Sequence, residues 1–126
     1  MVRNNVSVGK DGEDIAVDFL KKNGYRILKR NYRTKLGEID IIAREKDTLC
    51  FVEVKARSSL DFGAPQEAIS ISKQRQLSKA ALAFLKEHNS LNNKSRFDVI
   101  CITGAPEPKS VDLIKNAFDL DSNFSC

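Results

Sequence analysis

The sequence predicts a single α/β domain: a mixed sheet of four to five strands with helices on both faces, in the order helix, three strands, helix, strand. Three observations carry that prediction. Two segments repeat apolar residues at helical spacing. Four to five short runs rich in β-branched and aromatic residues are bounded by turn signals. The central runs are apolar on both faces, as expected of a sheet covered on both sides. A chain of 126 residues suffices for one domain, with a core over about residues 9–118 and frayed ends.

Residues 10–23 read as the first helix. Ile15, Ala16, Phe19 and Leu20 share a stripe, and Asn23-Gly24 supplies a C-terminal stop. Three strands follow, over residues 25–33, 37–44 and 48–57. In the first, Tyr25, Ile27 and Leu28 are expected to face inward. The polar links between them are short, which suits an antiparallel meander. A loop over 58–65 carries Gly63 and Pro65. The second helix runs to about Asn89 with the stripe Leu77, Ala80, Ala81, Phe84 and Leu85. Residues 96–103 form a further buried strand. After a turn, residues 111–115 form an edge strand.

Composition narrows the class of function. With 41% hydrophobic and 30% charged residues, the chain is an ordinary globular protein rather than a disordered one. No apolar run approaches the ~20 residues of a membrane span. The first dozen residues lack an apolar h-region, so no signal peptide is expected and the cytoplasm is the expected compartment. Cys50 and Cys101 sit in strand-like runs as inert buried thiols, and no CxxC pair exists. The single histidine, His88, closes a helix. These features argue against a Cys/His metal site and a cysteine nucleophile. Residues 1–57 carry 13 basic and 9 acidic side chains, whereas 58–126 carry 8 of each, so the net charge of +4 belongs to the first half. Residues 21–35 hold seven basic side chains and no acid. Such a run favours phosphate backbones by counterion release. Taken alone, it is better read as a solubilising face.

The chemistry lies in the second and third strands. Alternation puts Phe51, Glu53 and Lys55 on one face of the third strand, with Cys50, Val52, Val54 and Ala56 on the other. In the second strand Glu38, Asp40 and Ile42 share a face, opposite Ile39, Ile41 and Ala43. If the strands are neighbours, Asp40 and Glu53 converge beside Ile42 and Phe51. Burying charge there is costly unless something pairs with it. Two carboxylates plus water and a substrate phosphate are the usual setting for Mg²⁺, or Mn²⁺ in its place. Phosphodiester hydrolysis uses such a set: the cation activates water, and Lys55 supplies a fixed positive charge. An acid-x-Lys triplet alone is weak, and a second one, Glu107-Pro108-Lys109, has no role assigned. The alternative is a Glu53–Lys55 ion pair on an edge strand with Asp40 solvated.

The arrangement Asp40…Glu53-Val54-Lys55 resembles the PD-(D/E)xK nuclease superfamily signature. More closely, GKDGEDIA, NGYRIL, RNYR, GEIDIIAR, FVEVKARSS, FGAP, SKQRQL and RFDVICI resemble the YraN-like UPF family of small bacterial proteins over about residues 9–118. That family is similar to Holliday-junction resolvases. The resemblance implies a restriction-endonuclease-like three-layer fold, Mg²⁺ use and nucleic-acid binding. It implies that Asp40 and Glu53 are metal ligands and Lys55 the catalytic lysine. Glu13 would match a third acidic position and Gln74 a polar position on the helix after the motif. Ile39 stands where the superfamily's proline would be, a position without chemistry. Arg30, Arg33 and Lys35 in the basic run, Arg57 beyond the motif, and Lys73 and Arg75 on the second helix are the expected phosphate contacts. The expected partner is nucleic acid, DNA ahead of RNA, with no membrane. A resolvase needs two sites, which makes a homodimer an open expectation. The rival readings are a non-catalytic nucleic-acid-binding module on the same fold, and a protein-interaction module with an exposed apolar patch.

Overall fold

The computed structural model describes residues 8–57, 69–104 and 110–118, the side chains of 8–11 and 57 excepted. The expected loop over 58–65 and the Glu107-Pro108-Lys109 triplet lie outside the described residues. Helix α1 spans Val8–Lys22 and buries Ala16, Val17 and Leu20. It stops where Gly24 takes φ +88°, a conformation that glycine adopts without steric cost. Strands β1 (Tyr25–Thr34), β2 (Gly37–Glu45) and β3 (Thr48–Arg57) follow as the expected antiparallel meander. Helix α2 (Ile71–Glu87) starts at Ser70, whose hydroxyl caps the Lys73 N–H at 3.1 Å. It carries the chain over to β4 (Ser95–Thr103), which pairs parallel to β3. Strand β5 (Ser110–Phe118) closes the sheet as an antiparallel edge.

The sheet order β1-β2-β3-β4-β5 is mixed, and each face holds its own core. On one face α1 packs its stripe onto Ile41, Ala43, Cys50, Val52, Ile100 and Ile102. On the other, Leu77, Ala80, Ala81, Phe84 and Leu85 of α2 cover Ile39, Ile42, Phe51, Phe97 and Val99. This is the three-layer α/β arrangement expected of a restriction-endonuclease-like fold. Among the described residues, no helix is long and apolar enough to cross a membrane. His88 caps α2 and stacks on Phe84 at 4.1 Å, and Cys50 and Cys101 are buried.

Two side-chain placements expected from the sequence do not hold. Leu28 is exposed, not inward, because the β1–β2 register slips between Ile27 and Lys29. Further along β1, Asn31 adopts φ +53° and Tyr32 is buried in the α2 layer. Ile39 lies with Ile42 in the α2 layer, whereas Ile41 and Ala43 face α1. The period of two is therefore broken between Ile39 and Ile41, at Asp40.

Candidate metal centre and its surroundings

That break builds the site. The β2–β3 ladder runs from Glu45↔Thr48 to Ile41↔Val52 and stops before Asp40. There a side chain takes over from the backbone: Asp40 Oδ2 accepts the Val54 N–H at 2.8 Å. This bond fixes the Asp40 carboxylate against β3, one residue beyond Glu53. Glu53 follows Phe51 onto the α2 face and is only 7% exposed. Lys73 reaches it from the first turn of α2, with Nζ 3.7 Å from Oε2. Lys55 continues the same face of β3 and is half-buried.

Burial, with the nearby Asp40 carboxylate adding to it, pushes the Glu53 carboxyl up to about 8, against the opposing pull of Lys73 and Lys55. A glutamic acid at this position holds its proton near neutral pH. Two hard oxygen donors, one fixed by a backbone N–H and one desolvated, fit a small divalent cation that keeps several waters. Among the described residues, no group of three or more metal-type ligands stands together. Asp40 and Glu53 are thus the described residues that could hold such a cation.

The remaining expected site residues fall in different places. Glu13 is not grouped with the pair. Arg30 Nε donates to it at 2.9 Å and Asn31 Nδ2 at 3.2 Å, tying α1 to β1. Arg30 also bonds Asp14 at 2.6 Å, so its charge is matched by two acids. Gln74 Nε2 donates to the Ile69 carbonyl at 3.1 Å and fastens the entry to α2. Arg33 pairs across the strands with Glu38 at 3.2 Å. Arg33, Lys35 and Lys73 line a cleft of about 440 Å³ between the β1–β2 hairpin and α2. Arg75 is exposed on α2. Arg57 ends β3, and its side chain lies outside the described residues. Two features escaped the sequence reading: the Asp40–Val54 bond and the Lys73 contact to Glu53. The helix phase of Lys73, four residues before Leu77, was the available signal for the second.

Comparison with known proteins places these residues in context. A family model described as "Uncharacterised protein family UPF0102" matches residues 12–102, a span that contains Glu13, Asp40, Glu53, Lys55 and Lys73. The chain is 49% identical to a UPF0102 protein of Desulfosudis oleivorans, covering 94% of this chain and 95% of the relative. It is 48% identical to one of Geobacter metallireducens, covering 95% and 98%. A third, from Caldicellulosiruptor saccharolyticus, is 50% identical over 91% and 99%.

Proposed function

The chain belongs to the UPF0102 family, and on that footing we propose that it is a Mg²⁺-dependent nuclease-like protein. It binds nucleic acid and hydrolyses phosphodiester bonds in DNA, branched or structured DNA included. The observation that carries this reading is the buried Glu53 carboxyl set beside the half-buried Asp40. Adjacent carboxylates in a desolvated pocket are unfavourable without a cation. Asp40, through the oxygen not engaged by Val54, and Glu53 would hold Mg²⁺ or Mn²⁺. When bound, such an ion supplies water activation and neutralises charge building on the phosphate.

The chain's own residues do the rest. The Val54 N–H orients Asp40. Lys55, on the Glu53 face, orients the attacking water and stabilises negative charge as it develops. Lys73 offsets the Glu53 charge. Lys35 and Lys73 give the adjoining cleft a net positive lining, Arg33 being matched there by Glu38, and this favours phosphate by counterion release. A second reading, a nucleic-acid-binding module without turnover, is favoured by one observation. Glu13 is engaged by Arg30 and stands apart from the pair.

Calorimetric titration of Mg²⁺ or Mn²⁺ into the wild type and Asp40→Ala/Glu53→Ala, then incubation with a panel of branched DNAs, separates the two. The nuclease reading expects metal uptake and cutting by the wild type alone. Equal DNA binding by both proteins, with no metal uptake and no cutting, would leave the binding-module reading in its place.

A further inference from the structure

Helix α2 carries more around the site than a carboxylate pair needs. Three depressions open along it, and each shares a lining residue with the next. The first is the 440 Å³ cleft that includes Lys73. The second, about 360 Å³, shares Leu36 with the first. The third, about 300 Å³, shares Lys86 with the second. Along the helix, Gln76, Lys79, Ala83 and Lys86 recur at i, i+3, i+7 and i+10, which is one stripe of an α-helix. The three depressions therefore form one lane. It starts at Lys73, beside Glu53, and leaves past the C-terminal end of α2.

The lane mixes two chemistries. Lys73, Lys79 and Lys86 bring positive charge at successive points along it. Leu36, 54% exposed at the hairpin, stands with Leu82 and Ala83 as an apolar wall between the lysines. A duplex turns its base faces inward and offers a protein mainly phosphates, for which lysines suffice. An unpaired strand offers phosphates together with exposed base and sugar surface, and needs both kinds of contact. Charge complementarity and continuity with the carboxylate pair fix the occupant.

We infer that the α2 lane binds an unpaired nucleic-acid strand and leads its phosphate backbone to Asp40 and Glu53. The destination rests on the nuclease reading, whereas the binding does not. At about 1.5 Å per helical residue, Lys73 and Lys86 lie about 20 Å apart. At about 3.4 Å per stacked nucleotide that is about six nucleotides, and fewer if the strand is stretched.

The test is fluorescence anisotropy with labelled oligothymidines of three to twelve nucleotides, in EDTA, over a salt series. The wild type, Lys79→Ala/Lys86→Ala and Leu36→Asn are compared, with circular dichroism melting as the folding control. Wild-type affinity is expected to climb to about six nucleotides and then level. The double lysine variant is expected to lose about tenfold on an eight-mer, to flatten the salt slope by about 1.4, and to bind the three-mer unchanged. Leu36→Asn is expected to weaken the single strand several-fold and leave a matched duplex unaffected. Duplex binding as tight as single-strand binding, an indifferent Leu36→Asn, or an eight-mer held equally by the folded lysine variant would each overturn the lane. Cleavage is scored separately with Mg²⁺. Loss of cutting with the length dependence intact sinks only the nuclease reading, and the reverse pattern sinks only the lane.

Discussion

Lys73 Nζ lies 3.7 Å from Glu53 Oε2, so the first turn of α2 places a cation against the buried carboxylate of β3. The contact predicts how the metal-free protein responds to pH. Burial and Asp40 raise Glu53 to about 8 in the folded state, above the ordinary glutamate range of the unfolded chain. The folded state thus holds a proton that the unfolded state releases. Stability falls as pH rises from about 4.5 toward 8 and levels above that window. In EDTA, urea midpoints between pH 5 and 9 should decline for the wild type and stay flatter for Glu53→Gln. Lys73→Met should extend the decline to higher pH, because Lys73 is a charge that lowers the Glu53 value. A wild-type profile that matches Glu53→Gln would show that Glu53 is not desolvated.

Asp40 has two separable duties, and two substitutions divide them. Asparagine keeps an oxygen that can accept the Val54 N–H, and removes the charge that faces Glu53. Alanine removes both and leaves a backbone donor unpaired, at a cost of roughly 1–3 kcal/mol. Without metal, Asp40→Asn should melt at or above the wild-type temperature, and Asp40→Ala below it. Neither should take up Mn²⁺ in calorimetry. Equal stability of the two variants would deny the Val54 bond its structural role.

Much of this was legible in the sequence, and the parts that were not share a cause. Element order, the α1 and α2 stripes and the meander follow from local periodicity and turn residues. Asp40, Glu53 and Lys55 follow from charge set into an apolar strand. Ile39 falls on the other side because alternation presumes an unbroken ladder and β2 is interrupted at Asp40, whereas Leu28, expected inward beside Ile27, is the extra residue where β1 slips in register. Those irregularities depend on the partner strand and leave no mark on the strand's own residues. The pairing of Arg30 with Glu13 and Asp14 is likewise tertiary, and a basic run read by itself does not show which of its charges are matched.

Asp98 is a fully buried acid on the α1 face, and its function is mechanical. It accepts from Tyr25 Oη at 2.9 Å, Arg96 Nε at 2.9 Å and the Asn116 N–H at 2.9 Å. Arg96 continues to Glu45, which also holds Lys115, so the network ties β1, β2, β4 and β5 together. Removing the acid leaves Arg96 Nε, the Tyr25 hydroxyl and the Asn116 N–H without their buried acceptor, although Glu45 still pairs with Arg96. Asp98→Ala should cost about 3–5 kcal/mol in chemical denaturation. Below its lowered melting temperature, Mn²⁺ affinity should stay within about twofold of wild type, since Asp40 and Glu53 lie toward α2. A large loss of metal affinity in the folded variant would show that the two faces are coupled.

Gly37 sets how closely the hairpin approaches α2. A Cβ built there would meet the Gln76 carbonyl oxygen at 2.9 Å and the Gln76 carbonyl carbon and Cβ at 3.3 Å. The obstacle is helix backbone, which cannot swing aside like the end of a flexible side chain. Alanine at 37 therefore forces the hairpin away from α2, with a cost of roughly 1–3 kcal/mol for the overpacking. The shift moves Arg33, Lys35 and Leu36, which share the first depression with Gly37 and Lys73. Asp40 and Glu53 are fixed by separate contacts, to Val54 and Lys73. Gly37→Ala should accordingly weaken binding of an eight-nucleotide single strand several-fold while Mn²⁺ affinity changes little. Anisotropy and calorimetry on the same preparation read the two effects apart. Loss of both together would mean that the hairpin positions the carboxylates as well as the lane.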